Sequence, residues 1–183
     1  MYNMKVHLYY FRHGESTANV AQHTTCMGQL THLLMLDPNL TEKGKLESSK
    51  ASLSAPFVDI VLSSELLRAI HTAVRTYPKK TVHIIPHVKE LGYGLDNIPI
   101  DHDYQLSYLD EYKHLIIQSK TDLECKTFMN YCKKHIVTKF KDRSEISVAL
   151  FTHSRYIKKI FGLSSLKDIP NNGMLKRTFY MKI

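Results

Sequence analysis

One stretch constrains this chain more than any other: Tyr9-Tyr10-Phe11-Arg12-His13-Gly14-Glu15-Ser16, an apolar run that ends abruptly in a cation, an imidazole and a glycine. Lys5 to Phe11 has the length and apolar content of a short buried strand. In an open α/β sheet, a strand that stops at Arg12-His13-Gly14 delivers both side chains to the carboxyl edge, where such folds keep their ligand sites. Gly14 lets the backbone turn sharply or approach a ligand closely. Ser16 and Asn19 add neutral hydrogen-bonding groups near the start of the next element. Together these residues have the makings of an anion pocket.

Further strands and helices alternate along the chain. Residues 20–39 lack a clean period and end at Asp37-Pro38, which predicts a surface loop overhanging the pocket. Leu40-Thr41-Glu42-Lys43-Gly44 opens a helix through about Ser54, with Thr41 as N-cap. Val58 to Leu62 reads as a second strand, and Ser63-Ser64 as the cap of the helix after it. In that helix Leu66, Leu67, Ile70, Ala73, Val74 and Tyr77 form the apolar face, while Arg68 and Thr72 share another. A helix fed by a strand in this way starts beside the sheet's carboxyl edge, so Arg68 points toward the same place as His13. Val82 to Ile85 is a third strand, ended by Pro86. Residues 95–120, mixed in character, are expected to form a lid, and Thr121 to about Asp142 a long amphipathic helix. Ile146 to Phe151 is a fourth, almost wholly apolar strand that ends in Thr152-His153-Ser154, so a second histidine arrives at a strand end as the first does. A helix from Arg155 to Gly162, a Pro170-Asn171-Asn172-Gly173 turn and a closing edge strand over Lys176–Ile183 complete the reading.

Arg12-His13-Gly14-Glu15-Ser16 followed by Asn19 resembles the first signature of the histidine phosphatase superfamily, also called phosphoglycerate mutase-like, branch 1. Ser63-Ser64-Glu65-Leu66-Leu67-Arg68-Ala69-Ile70-His71-Thr72-Ala73 is similar to its second, and Leu40 to Gly44 to a structural segment of the same family. The resemblance runs from residue 5 to about 162. It implies an α/β fold, a three-layer αβα sandwich with a mostly parallel central sheet. It also implies that His13 becomes phosphorylated, that Arg12 and Arg68 bind phosphate with Ser16, Asn19 and His153, and that Glu90, in Lys89-Glu90-Leu91-Gly92-Tyr93-Gly94, is the catalytic acid. The family usually places glycine after the second histidine; Ser154 stands there in this chain and makes the neighbouring backbone less open.

Such a set suffices for phosphoryl transfer without a metal or other cofactor. The guanidinium groups of Arg12 and Arg68 clamp non-bridging oxygens through forked, charge-assisted bonds, as Mg²⁺ does in kinases. His13 must attack as neutral imidazole, and neighbouring arginines disfavour its protonated form. His153 stabilises charge on the equatorial oxygens as a cation or donor, and Glu90 protonates the leaving alkoxide and then activates water. The expected activity is a phosphomonoesterase. A phosphoglycerate mutase is the alternative, since Glu90-x-x-Tyr93-Gly94 is similar to the mutase segment. The arginines that hold a phosphorylated carboxylic acid in mutase lids have no counterpart between Arg75 and Arg143, which ranks that reading second. A catalytically silent module that binds phosphorylated ligands is a third.

With 183 residues and 43% hydrophobic content, the chain suits one domain over 1–183. It shows no apolar leader and no membrane-length run, so a soluble, cytoplasmic protein is expected. Cys26, Cys125 and Cys132 are odd in number without a C-x-x-C pair, which suits reduced thiols; the last two, seven apart, would share a packed helix face. His83 and His87 are four apart, but Pro86 keeps them off one helix face and argues against a metal site. The formal charge of +8 fits a field that gathers anionic substrates, either phosphorylated small molecules or phosphoproteins, to which Tyr93, Tyr104 and Tyr108 could offer a specificity surface. Its lysines are scattered without interleaved aromatics, which argues against nucleic acid. Oligomeric state is not written in the sequence.

Overall fold

A computed structural model describes residues 3–24, 28–118, 125, 127–165 and 169–182. Among these residues the sheet has six strands: β1 (Asn3–Arg12), β2 (Ile60–Ser63), β3 (Val82–Ile84), β4 (Ile116–Gln118), β5 (Glu145–Thr152) and β6 (Met174–Lys182). They lie in the order β4-β3-β2-β5-β1-β6. All neighbouring pairs are parallel except β1 with β6, the antiparallel closing edge. The helices are α1 (Thr17–Thr24), α2 (Gly28–Thr31), α3 (Glu42–Ala51), α4 (Leu67–Thr76), α5 (His102–Ser107), α6 (Phe128–Tyr131), which continues as a π-helical segment over Cys132–Val137, and α7 (Ser154–Phe161).

The central strands are apolar on both faces because both faces are covered. Val6, Leu8 and Tyr10 of β1 pack with Val148 and Leu150 of β5, Ile157 of α7 and Phe128, Tyr131 and Ile136. Residues of the opposite face, Phe11, Ala149 and Phe151, pack with Leu67, Ile70, Ala73 and Val74 of α4. Phe11 stacks on Phe151 with centroids 4.6 Å apart, and Tyr77 meets both edge-on. This alternation produces the expected mostly parallel sheet between two helical layers.

The β1–β5 register does the work that matters for the site. Arg12 pairs with Thr152, so the next residue on each strand, His13 and His153, emerges side by side at the carboxyl edge. The ladder runs one step further, with His13 N–H donating to Thr152 O at 3.1 Å.

Several expectations are corrected. Residues 20–39 are not a loop throughout: α1, α2 and a 3₁₀ turn at His32–Leu34 occupy much of the segment. Ser16 and Asn19 start α1 by a reciprocal cap, in which Asn19 N–H donates to Ser16 Oγ at 3.3 Å and Ser16 N–H to Asn19 Oδ1 at 3.1 Å. The helix is set by its cap and half exposed, so it carries no apolar stripe to read. Ser63-Ser64 does not cap α4. That helix begins at Leu67 with no side-chain bond from its own N-cap residue, and Asp37, thirty residues earlier, accepts from Leu67 N–H at 2.9 Å.

Residues 95–118 include α5 and an additional strand, β4, whose exposed, three-residue run gives no alternation to detect. The long helix expected from Thr121 begins, among the described residues, at Phe128, where Thr127 accepts from Asn130 N–H at 3.2 Å; residues 121–124 and 126 lie outside them. Thr41 caps α3 as expected, accepting from Gly44 N–H at 3.0 Å. Cys125 and Cys132 share one apolar cluster but not a helix face, since Cys125 lies outside any helix, while Cys26 lies outside the described residues. No helix among the described residues is long and apolar enough to cross a membrane.

Candidate active site

A cavity of about 270 Å³ opens at the carboxyl edge of β1 and β5, lined by Arg12, His13, Ser16, Asn19, Arg68, Glu90 and Ser154, with Gln22, His23, His32, Leu33, Tyr93, Asp96, Asn97 and Arg155 around them. The structure thus brings together every site residue named from the sequence except His153, which is fully buried behind the cavity wall. Its ring centroid is 5.2 Å from that of His13.

The β1–α1 turn is held against α3 and α4. Gly14 N–H donates to Thr72 Oγ1 at 2.9 Å, and Thr72 donates to Arg68 O at 2.7 Å. A Cβ on Gly14 would meet Ser48 Oγ at 2.8 Å, so the close approach that Gly14 permits is to α3 and not to a ligand. At Gly44 a Cβ would strike the Glu15 carbonyl, which lets Thr41 N–H reach Glu15 O at 2.9 Å. The Glu15 carboxylate is held below its usual range by Lys43, 3.0 Å away, and by the Thr41 hydroxyl.

Buried His13 places Nδ1 2.7 Å from Gly14 O. A carbonyl oxygen only accepts, so Nδ1 carries the proton and Nε2 keeps its lone pair. Burial first, then Arg68 and Arg12, push its pKa well below the ordinary value, against the opposing pull of the Gly14 bond. His13 is therefore neutral near pH 7. His153 is shifted down in the same way by burial, Arg68, His13 and Arg12. Its Nε2 lies 2.9 Å from Ser64 Oγ, and its Nδ1 has no partner among the described residues.

Arg68 is 3% exposed although it stands on the first turn of α4. It donates to Asp96 O at 2.6 Å and to Asn97 Oδ1 at 3.0 Å. Arg12 donates to Ile169 O at 2.6 Å through Nη1, and its buried Nε lacks a partner among the described residues. Both guanidinium groups keep donors unspent, and forked donors of this kind suit an oxygen-rich anion. Glu90 faces them. Burial raises its carboxyl pKa, opposed by the Leu91 N–H it accepts at 2.9 Å and by Arg68, Arg155 and Arg12.

Ser16 is less open than its sequence position implies, because its hydroxyl donates to Asn19 Oδ1 at 3.1 Å; that bond leaves the Asn19 amide nitrogen as the available donor. Of the three tyrosines offered as a specificity surface, only Tyr93 lines the cavity, 97% exposed at its rim. Tyr104 and Tyr108 pack edge-on against each other with hydroxyls 3.1 Å apart. Sequence reasoning missed Asn97, the α1 residues Gln22 and His23, His32 of the following 3₁₀ turn, and Arg155. For Arg155 a signal existed: a cation two positions after a strand-end histidine, at the start of a helix.

A sequence model of the histidine phosphatase superfamily (branch 1) matches residues 8–177. A mannitol-1-phosphatase from Eimeria tenella is 29% identical over 102 residues, covering 50% of this chain and 32% of that protein, so the chain spans about a third of this curated relative. Among solved structures, a phosphoserine phosphatase mutant from Entamoeba histolytica in complex with phosphoserine is similar with a TM-score of 0.55 and 20% identity, covering 97% of this chain and 95% of that one. A phosphoglycerate mutase from Bacillus anthracis has a TM-score of 0.58 at 16% identity, with 98% and 92% covered. At these identities the two structures speak to the fold.

Proposed function

Since the chain belongs to the histidine phosphatase superfamily (branch 1), we propose that it hydrolyses phosphomonoesters through a phosphohistidine on Nε2 of His13, with no metal in the chemistry. The observation that carries this reading is the Nδ1–H···O=C bond to Gly14. It fixes an unprotonated Nε2 in a cavity flanked by two guanidinium groups and a carboxyl of raised pKa.

Arg12 and Arg68 hold the non-bridging phosphoryl oxygens, and Asn19 adds a neutral donor. Nε2 attacks phosphorus while the bond to the ester oxygen breaks, and protonated Glu90 gives its proton to the departing alkoxide. Water then attacks the phosphohistidine. Glu90 takes its proton, the P–N bond breaks, and inorganic phosphate leaves. His153, neutral like His13, contributes as a donor and not as a cation. With the Ser64 hydroxyl donating to its Nε2, Nδ1 carries the proton and, having no partner among the described residues, is the donor left for the developing charge.

The substrate proposed is a phosphorylated small molecule. The cavity lies just under the roughly 300–1,000 Å³ typical of pockets for drug-sized ligands, and the phosphatase names among the relatives are of small-molecule type. Hydrolysis of p-nitrophenyl phosphate in EDTA tests the reading. Wild type should turn over and carry acid-labile phosphate on His13, and His13→Ala should fall to background at an unchanged melting temperature. Full activity in that variant refutes the phosphohistidine, and a wild type inert toward a broad donor panel favours a silent binding module.

A further inference from the structure

Arg155 is the third guanidinium of the cavity, and neither phosphate clamping nor packing accounts for its position. It occupies the second residue of α7, two positions after His153. Among the described residues no carboxylate pairs with it within salt-bridge distance, and its one hydrogen bond is from Nη1 to Leu91 O at 3.3 Å. The Nη1 end of the side chain abuts Gly92, where a Cβ would collide with it. A side chain at residue 92 would therefore push the guanidinium away from the segment that carries Glu90. Of five N–H donors one is used, and the residue lines the same cavity as Glu90, Arg12 and Arg68.

We infer that Arg155 is a specificity-determining residue that binds a second anionic group, carboxylate or phosphate, on the leaving-group side of a small phosphomonoester. The inference rests on the hydrolase reading above. In that reading Arg12 and Arg68 hold the transferred phosphoryl group beside His13, and Glu90 protonates the oxygen that departs. Whatever is attached to that oxygen extends past Glu90, toward the Leu91–Gly92 backbone where Arg155 is anchored. A guanidinium there makes paired bonds to either anion and gains little from a neutral alcohol. It also supplies what the stretch between Arg75 and Arg143 lacks, a cation for a phosphorylated acid.

The test compares three substrates of matched size: phosphoglycerate, glycerol bisphosphate and glycerol monophosphate, the last uncharged on its leaving group. Wild type should favour one or both of the first two in kcat/KM, the preferred one naming the anion. Arg155→Gln should erase that preference by about tenfold or more, mainly through KM, as loss of a charge-assisted bond implies. Arg155→Lys should keep part of it. Removing Arg155 also takes a positive charge from near Glu90, but that affects all three substrates alike and cancels in the ratio. Equal kcat/KM on all three in the wild type, or an equal fall on all three in Arg155→Gln, overturns the inference and leaves the hydrolase reading standing. Hydrolysis of none of them, nor of p-nitrophenyl phosphate, sinks both. A phosphopeptide turned over faster than any of the three also overturns it.

Discussion

Replacing Asp37 with alanine should cost the protein about 3 kcal/mol and disable the site without touching a residue of the cavity. Asp37 is 2% exposed and has a positive φ of 41°, a conformation that Asp tolerates better than Ala. Its carboxylate accepts from Leu67 N–H at 2.9 Å, from Ile100 N–H at 3.2 Å and from Gln105 Nε2 at 2.6 Å. Loss of the helix cap alone is worth about 1 kcal/mol. The other two bonds, made to a charged acceptor, are worth roughly 1.5–3 kcal/mol each before relaxation. Against this, burial raises the Asp37 pKa more than its hydrogen bonds and Arg68 lower it, so alanine also removes a desolvated charge. The balance of about 3 kcal/mol corresponds to a fall in Tm of about 6 to 12 °C for a chain of this size.

Because the folded pKa lies above the unfolded one, the contribution of Asp37 is complete below the ordinary carboxylate range and shrinks as pH rises through its own pKa. The gap between wild type and variant is therefore wider in acid. Activity should drop with stability, since Arg68 directly follows the orphaned Leu67 N–H on the first turn of α4. Differential scanning fluorimetry at several pH values and p-nitrophenyl phosphate turnover check both. A variant melting within about 1 °C of wild type with normal turnover refutes the argument that Asp37 holds α4 and its arginine in place.

Glu90→Gln should slow hydrolysis of an alkyl phosphate by about 10²–10⁴-fold, the usual worth of a general acid, and slow p-nitrophenyl phosphate far less because that leaving group needs no proton; equal losses on both would assign Glu90 another role. The pH profile of kcat/KM should keep its acid limb below the ordinary histidine pKa, since His13 and His153 are both shifted down and activity is lost only where His13 becomes protonated. The alkaline limb should follow Glu90, whose raised pKa sets where the acid is spent, and should vanish in Glu90→Gln on alkyl phosphate. An acid limb centred above pH 6.5 contradicts the burial argument for His13.

The chain's own order of residues determined five of the strands, the helices α3, α4 and α7 beside them and the sheet edge at which chemistry collects, while the short β4 left no pattern to read. Apolar runs such as Lys5–Phe11 and Ile146–Phe151 admit few other structures, and each ends in the histidine it delivers. Only the tertiary structure decided which groups meet, and on what terms. The register that pairs Arg12 with Thr152 sets the two imidazoles side by side yet leaves His153 behind the wall. The cap of α4 comes from Asp37, and the third cation from Arg155, seated over Gly92. These are contacts between residues far apart in the chain, so no local period or propensity encodes them; they exist only once packing has brought the segments together. The helix at Thr17–Thr24 was hidden for the opposite reason. It covers the cavity and not the core, and a helix without an apolar burden leaves no stripe in the sequence.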